Sequence, residues 1–228
     1  LGDVYKRQVY GTQIFWPLPT PPVVWSSIFI IDPAYSLPLL ASVLAALLLH
    51  RTPRGHRLNA IGLALSCLYL LWSVGAKLHV EGAARASLAR QGIAHEALLT
   101  TPTAFNTLLW RVLIVDGEGY AEGYYSLLDG QGEIRMAHHP GNRGLLRGLE
   151  DHRPVRRLVW FTHGFYAVKR EAGGIWITDL RMGMEPDYTF RFRVAADAEP
   201  HPIPEPGRRG RSPRDFRLLA WIWQRIWS

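Results

Sequence analysis

The feature that most constrains this chain is a segregation of its residues. Residues 9–76 are dominated by Leu, Ile, Val, Ala, Trp and Pro, whereas charges are spread throughout from Glu81 onward. Two stretches, 28–49 and 59–76, approach the roughly 20 apolar residues that cross a hydrocarbon core about 30 Å thick. They are separated by a short polar turn, His50-Arg51-Thr52-Pro53-Arg54-Gly55-His56-Arg57, with three arginines, a proline and a glycine. The expected architecture is a membrane α-helical hairpin followed by an α+β domain with a mostly antiparallel sheet.

Residues 1–8 are polar and have no helical or strand period. Val4-Tyr5-Lys6-Arg7-Gln8 resembles translated adapter sequence at the end of an assembled metagenomic fragment, so 1–8 are set aside as an artefact. Residues 9–34 form a Pro-rich, aromatic segment, with Pro17, Pro19, Pro21 and Pro22 beside Trp16 and Trp25. Proline lacks an amide donor and restricts the residue before it, which forbids a helix over 17–22. An uncharged, irregular segment bearing Trp is expected at the membrane interface or against other membrane helices.

Residues 35–100 carry the two transmembrane helices. Asp32-Pro33 interrupts the first stretch, so its regular helix is expected to start near Tyr35 or Ser36. The second has no proline between Arg57 and Thr101 and is expected to continue as an amphipathic helix over 77–98. The basic loop 50–57 faces an uncharged flank, and the positive-inside rule places it in the cytoplasm with the C-terminal domain outside. Lys77, Arg85 and Arg90 weigh against that placement.

The α+β domain is expected over 101–196. Residues 107–115 (TLLWRVLIV) read as a strand, Asp116-Gly117 as a turn, and 120–127 as the partner strand. A short strand is expected around 133–137, helices over 143–150 and 155–161, and strands over 165–170, 175–180 and 188–194. Residues 197–228 read as a basic Pro/Arg linker and an amphipathic C-terminal helix. That helix suits either a lipid surface or packing against the domain.

The net charge of +7 admits nucleic acid, anionic lipid or a solvated surface. Nine tryptophans, several beside apolar helices, favour the lipid bilayer as partner, and no nucleic acid is expected. The single cysteine, Cys67, forms no internal disulfide and reads as a small apolar helix residue.

Asp32 is the most informative single residue. A carboxylate between Ile31 and Pro33 at the start of a spanning segment is costly unless paired, hydrated or metal-bound. It is a candidate catalytic residue or metal ligand, and equally a cap for the helix behind it. Among the nine histidines, His138-His139 lie in adjacent positions that point apart. His163 reads as a hydrogen-bonded core residue. No His-Glu-x-x-His, Cys-x-x-Cys, phosphate loop or nucleophile elbow occurs. Asp179 and Arg181 are two apart on one strand face, placed to pair or to hold a polar ligand.

Tyr10-Gly11-Thr12-Gln13-Ile14-Phe15-Trp16-Pro17, followed by Ile28-Phe29-Ile30-Ile31-Asp32-Pro33, resembles the second half of the YdjM-like family of bacterial inner-membrane proteins. The Trp160-Phe161, Gly164-Phe165-Tyr166 and Asp179-Leu180-Arg181 clusters resemble the soluble tail of its longer members. Members are described as membrane-bound metal-dependent hydrolases. The resemblance implies the bacterial inner membrane, a divalent metal in the full-length protein, and a site lined by Asp32 with Gly11, Thr12 and Gln13. The family's metal site uses His and Asp residues in N-terminal helices with no counterpart in these 228 residues. The implied function is that of a fragment of such a hydrolase acting at the membrane surface. The alternative is a non-catalytic membrane protein whose domain binds a lipid, glycan or protein partner.

Overall fold

The computed structural model describes residues 17, 25–130, 132–171, 173–196, 202–208 and 217–228, with the backbone course alone for 202–208 and 217. Gly11, Thr12 and Gln13, and all of 1–8, lie outside the described residues. Among the described residues the chain is an α+β protein with four helices and two antiparallel sheets.

Helix α1 spans Pro33–Leu48. It starts ahead of the expected Tyr35 because Asp32 is an N-cap, its Oδ1 accepting from the Ala34 amide at 2.9 Å. Pro33 sits in the first turn, where a missing amide donor costs nothing. Helix α2 spans Pro53–Gln91 without interruption, about 58 Å at about 1.5 Å per residue. It stops at Gly92, whose φ of 64° suits glycine and lets its amide reach the Leu88 and Ala89 carbonyls. By length and composition α2 is long and apolar enough to cross a membrane.

The two helices run antiparallel in contact, with Tyr35 and Ser42 of α1 facing Ser66 and Gly62 of α2. Gly62 allows the approach: a Cβ there would overlap the Ser42 side chain and lie 2.9 Å from the Pro38 carbonyl. Beyond this contact α2 continues over the domain. Ala76, Val80 and Ala84 pack on Trp110, Val112 and Tyr125, and Leu88 packs on Ile114 and Ala121.

The first sheet has the order β1 (Ala97–Pro102), β2 (Leu109–Val115), β3 (Gly119–Ser126), β4 (Ala137–Pro140). Strand β1 corrects the expectation of helix up to residue 98. Once Gly92 has ended α2, Ala97 to Pro102 pair with Val115 to Trp110. Every residue of β2 is buried. That explains why it is apolar apart from Arg111, because α2 covers one face and the second sheet the other.

A 3₁₀ turn (Arg143–Leu146) and α3 (Arg153–Thr162) lead into the second sheet. Its order is β5 (Tyr166–Glu171), β6 (Gly174–Met184), β7 (Asp187–Ala195), β8 (Pro202–Arg208). The expected single sheet is therefore two, packed through Leu113, Val115, Tyr120, Ala167, Leu180 and Tyr188. Strand β8 falls where a linker was expected. It pairs only with β7, and an edge strand tolerates its prolines. Helix α4 (Arg217–Ile226) packs on the first sheet, with Ile222 and Ile226 against Leu109.

Candidate functional site

Asp32 is 1% exposed. Its Oδ1 caps α1, and its Oδ2 accepts from the Tyr69 hydroxyl at 2.8 Å. The Tyr69 hydroxyl also meets Thr107 Oγ1 at 3.0 Å, and Trp72 Nε1 donates to the same oxygen at 3.2 Å. Four residues from α1, α2 and the β1–β2 loop thus form one chain of hydrogen bonds where the apolar helices meet the domain.

Asn106 builds the loop that supplies Thr107. Its Oδ1 accepts from the Leu108 and Leu109 amides at 2.9 and 2.8 Å, and its Nδ2 donates to Thr103 Oγ1 and the Ala104 carbonyl. The Thr107 carbonyl accepts from Trp110 Nε1 at 2.8 Å. Phe105 takes a φ of 65° and turns outward, its ring edge-on to Phe29 at 5.5 Å. On the far side of the loop, Arg225 of α4 makes two bonds to the Asp129 carboxylate and one to the Tyr124 carbonyl. Ser126 Oγ donates to the Ile226 carbonyl at 2.9 Å.

A second polar cluster lies between the sheets. Arg111 of β2 and Glu122 of β3 form a salt bridge with both side chains 3% exposed. Register explains the meeting: Arg111 pairs with Tyr124, so Glu122 is its diagonal neighbour on the same face. Arg111 also donates to the Leu180 carbonyl at 2.8 Å and to the Tyr188 hydroxyl at 3.1 Å. Tyr188 donates in turn to Glu122 Oε1. Arg111 Nε is buried without a hydrogen-bond partner, so the guanidinium is not fully satisfied.

Burial alone would raise the Glu122 carboxyl. The Arg111 charge, with bonds from Arg111, Tyr188 and the Glu185 amide, outweighs it and holds Glu122 below the usual carboxylate range. Burial and the Glu122 charge push the Tyr188 hydroxyl far above its ordinary value, against the pull of Arg111. Glu122 is thus an ionised acceptor and Tyr188 a permanently protonated donor. This set clamps β2, β3, β6 and β7 together and supplies no nucleophile.

Asp179 and Arg181 pair within β6: Arg181 Nε and Nη2 reach the two carboxylate oxygens at 3.1 and 2.8 Å, with the guanidinium 5.0 Å over the Phe161 ring. His163 corrects its expectation. It is exposed, with a φ of 51° at the C-terminus of α3, rather than in the core. His139 stacks on Tyr120 at 5.2 Å. A cleft of about 400 Å³ opens between β3, the 129–135 connection and α4, lined by Tyr124, Tyr125, Glu133, Arg135 and Arg225.

Of the sequence-derived candidates, Asp32 is placed in a site, and Gly11, Thr12 and Gln13 lie outside the described residues. Among the described residues no three His, Cys, Asp or Glu side chains converge as metal ligands. Asp32 already spends both carboxylate oxygens on Ala34 and Tyr69. Asp32 with Tyr69, Thr107 and Trp72 is thus one carboxylate among neutral partners, a set that does not by itself hold a divalent ion. The Tyr69, Trp72 and Thr107 partners and the Arg111–Glu122 pair were not anticipated. One signal for the pair was available, a lone arginine inside an otherwise apolar strand. No protein-family profile, curated protein or solved structure matches this chain.

Proposed function

We propose that this chain is a bilayer-anchored, non-catalytic protein. On this reading α1 and the first half of α2 form a membrane hairpin that holds the two-sheet domain at the membrane surface. One observation carries it: burial along these helices is inverted. In α1 the buried residue is Ser42, and in α2 as far as Ser73 the buried residues are Gly55, Gly62, Ser66 and Ser73. The large apolar residues face outward, Leu37 62% exposed, Leu48 81%, Leu68 61% and Leu71 68%. Water would drive the opposite arrangement, whereas lipid favours small residues between helices and leucines around them.

The setting is the bacterial inner membrane, with the Arg51, Arg54 and Arg57 loop in the cytoplasm and the domain outside. Alkaline carbonate extraction of membranes from expressing cells tests the anchor. The full chain stays in the pellet until detergent is added; release by carbonate alone would overturn the reading. An Asn142→Cys variant lacking Cys67 tests the orientation by labelling with an impermeant maleimide in intact cells. Labelling only after permeabilisation reverses it.

A second reading draws on the burial of Asp32 at the helix–domain junction and on the resemblance of Gly11-Thr12-Gln13 and Ile31-Asp32-Pro33 to the YdjM-like hydrolases. There the chain is part of a membrane-bound metal-dependent hydrolase, its site completed by residues outside those described. Asp32→Asn abolishing metal-dependent ester hydrolysis by the purified chain would support that reading over the first.

A further inference from the structure

We infer that α4 and the 103–108 loop form an aromatic collar that seats in the headgroup region of the bilayer crossed by α2, giving the domain a second lipid contact of its own. This rests on the anchored reading above.

The collar follows from three fastenings. Thr107 is bonded to Tyr69 and Trp72, which sets the loop level with that turn of α2. Leu109, two residues on, is the first residue of β2 and is packed by Ile222 and Ile226, so α4 lies at the same end of the domain. Ser126, paired with Leu109, ties its hydroxyl to the Ile226 carbonyl.

Helical geometry decides what α4 shows on its other side. Successive residues turn about 100°, so Trp223 lies roughly 100° round from the inward Ile222, and Trp227 directly follows the last helical residue. Each is 63% exposed, and their rings meet edge-on at 5.9 Å. Trp72 is 51% exposed and Phe105 42%. Exposed rings from α2, the loop and α4 therefore gather at the end of the domain where Leu68 and Leu71 begin the lipid-facing stretch.

The chemistry of this face selects lipid over another protein. The outward residues Ala220, Trp223 and Gln224 of α4, and Trp227 just past its end, carry no charge. Its one described basic side chain, Arg225, is turned inward onto Asp129. Tryptophan with an apolar body and one N–H donor prefers the headgroup layer. Trp160, 65% exposed on α3, lies elsewhere. The end of α3 is tied through Arg143, which bonds both the Gly164 carbonyl and Glu96, to the far end of α2.

The test is spin-label depth measurement on the full chain in neutral phosphatidylcholine nanodiscs, in a Cys67→Ser background. Single labels go at Trp223→Cys, Trp160→Cys and Leu68→Cys. The expected result is severalfold lower accessibility to a water-soluble nickel complex at 223 than at 160, with oxygen accessibility rising at 223 and highest at 68. A label at 223 as open to nickel as the one at 160, with 68 in lipid, overturns the collar and leaves the anchor standing. Labels at 68 and 223 both in water overturn the collar together with the anchor. A label at 223 shielded from oxygen and nickel alike overturns it in favour of a contact with a second copy of this chain.

Discussion

Arg111 and Glu122 lie on neighbouring strands as diagonal partners, and both are sealed between two sheets joined by the connection 141–165. Removing one partner leaves the other charged and buried. Glu122→Gln is expected to cost about 3–5 kcal/mol, read from guanidinium-induced unfolding of the detergent-solubilised chain. The paired change Arg111→Met with Glu122→Leu should cost much less than either single change, since no charge is left unpaired. Equal losses in the single and double variants would mean that packing, not charge, holds this region.

The same pair sets an acid limit. Glu122 has a folded pKa held below its unfolded value near 4.3. A depressed carboxylate contributes stability that is present above the unfolded pKa and lost as pH falls through the folded one. Unfolding free energy should therefore be insensitive to Glu122 at neutral pH and fall on acidification below about pH 4. In Glu122→Gln that part of the acid limb should be missing. A variant with an unchanged acid limb would show that other carboxylates dominate it.

Strands β2, β3, β5, β6 and β7 announced themselves through β-branched and aromatic runs, with Asp116-Gly117 and Asp129-Gly130 marking the turns around β3. Strand β1 did not, because Ala97-Leu98-Leu99 continues the composition of α2 and only Gly92 marks the break. Strand β8 was hidden by its prolines, which suit an edge strand as well as a linker. Asp32 was readable as a cap, but its tie to Tyr69 and Thr107 spans dozens of residues and depends on where α2 meets the β1–β2 loop. The two-sheet arrangement likewise rests on contacts such as Leu113 with Leu180, which no local pattern encodes.

Gly62 faces α1 with no room for a side chain. Gly62→Ala is expected to cost about 1–3 kcal/mol, because the new methyl overlaps Ser42 and the Pro38 carbonyl. Adding Ser42→Gly removes most of the obstruction and should restore much of the loss. Thermal unfolding in detergent micelles measures both. A rescue that fails would place the strain at the Pro38 backbone instead of the Ser42 side chain.

Asn106 positions Thr107 and Phe105 through four hydrogen bonds. Asn106→Ala leaves the Leu108 and Leu109 amides without their side-chain acceptor and is expected to cost about 1–3 kcal/mol. The same change should loosen the Trp72–Thr107 contact, visible as a shift in Trp emission in a variant that keeps Trp72 and lacks the other exposed tryptophans. Unchanged emission would mean that Tyr69 alone holds the loop on α2.

Asp32 separates the two functional readings by a pair of substitutions. If it is a cap, Asn serves nearly as well: its Oδ1 accepts from Ala34, and its Nδ2 donates to the Tyr69 oxygen, which frees the Tyr69 proton for Thr107 Oγ1. Asp32→Asn should then change stability by a few tenths of a kcal/mol, and Asp32→Ala should cost about 0.5–2 kcal/mol. A carboxylate that acts on a substrate gives the other order, with Asn as damaging to turnover as Ala while stability holds. Unfolding midpoints of both variants, measured beside ester hydrolysis in the presence of added divalent metal, decide the matter. A stable Asp32→Asn chain with undiminished hydrolysis would assign that activity to residues other than Asp32.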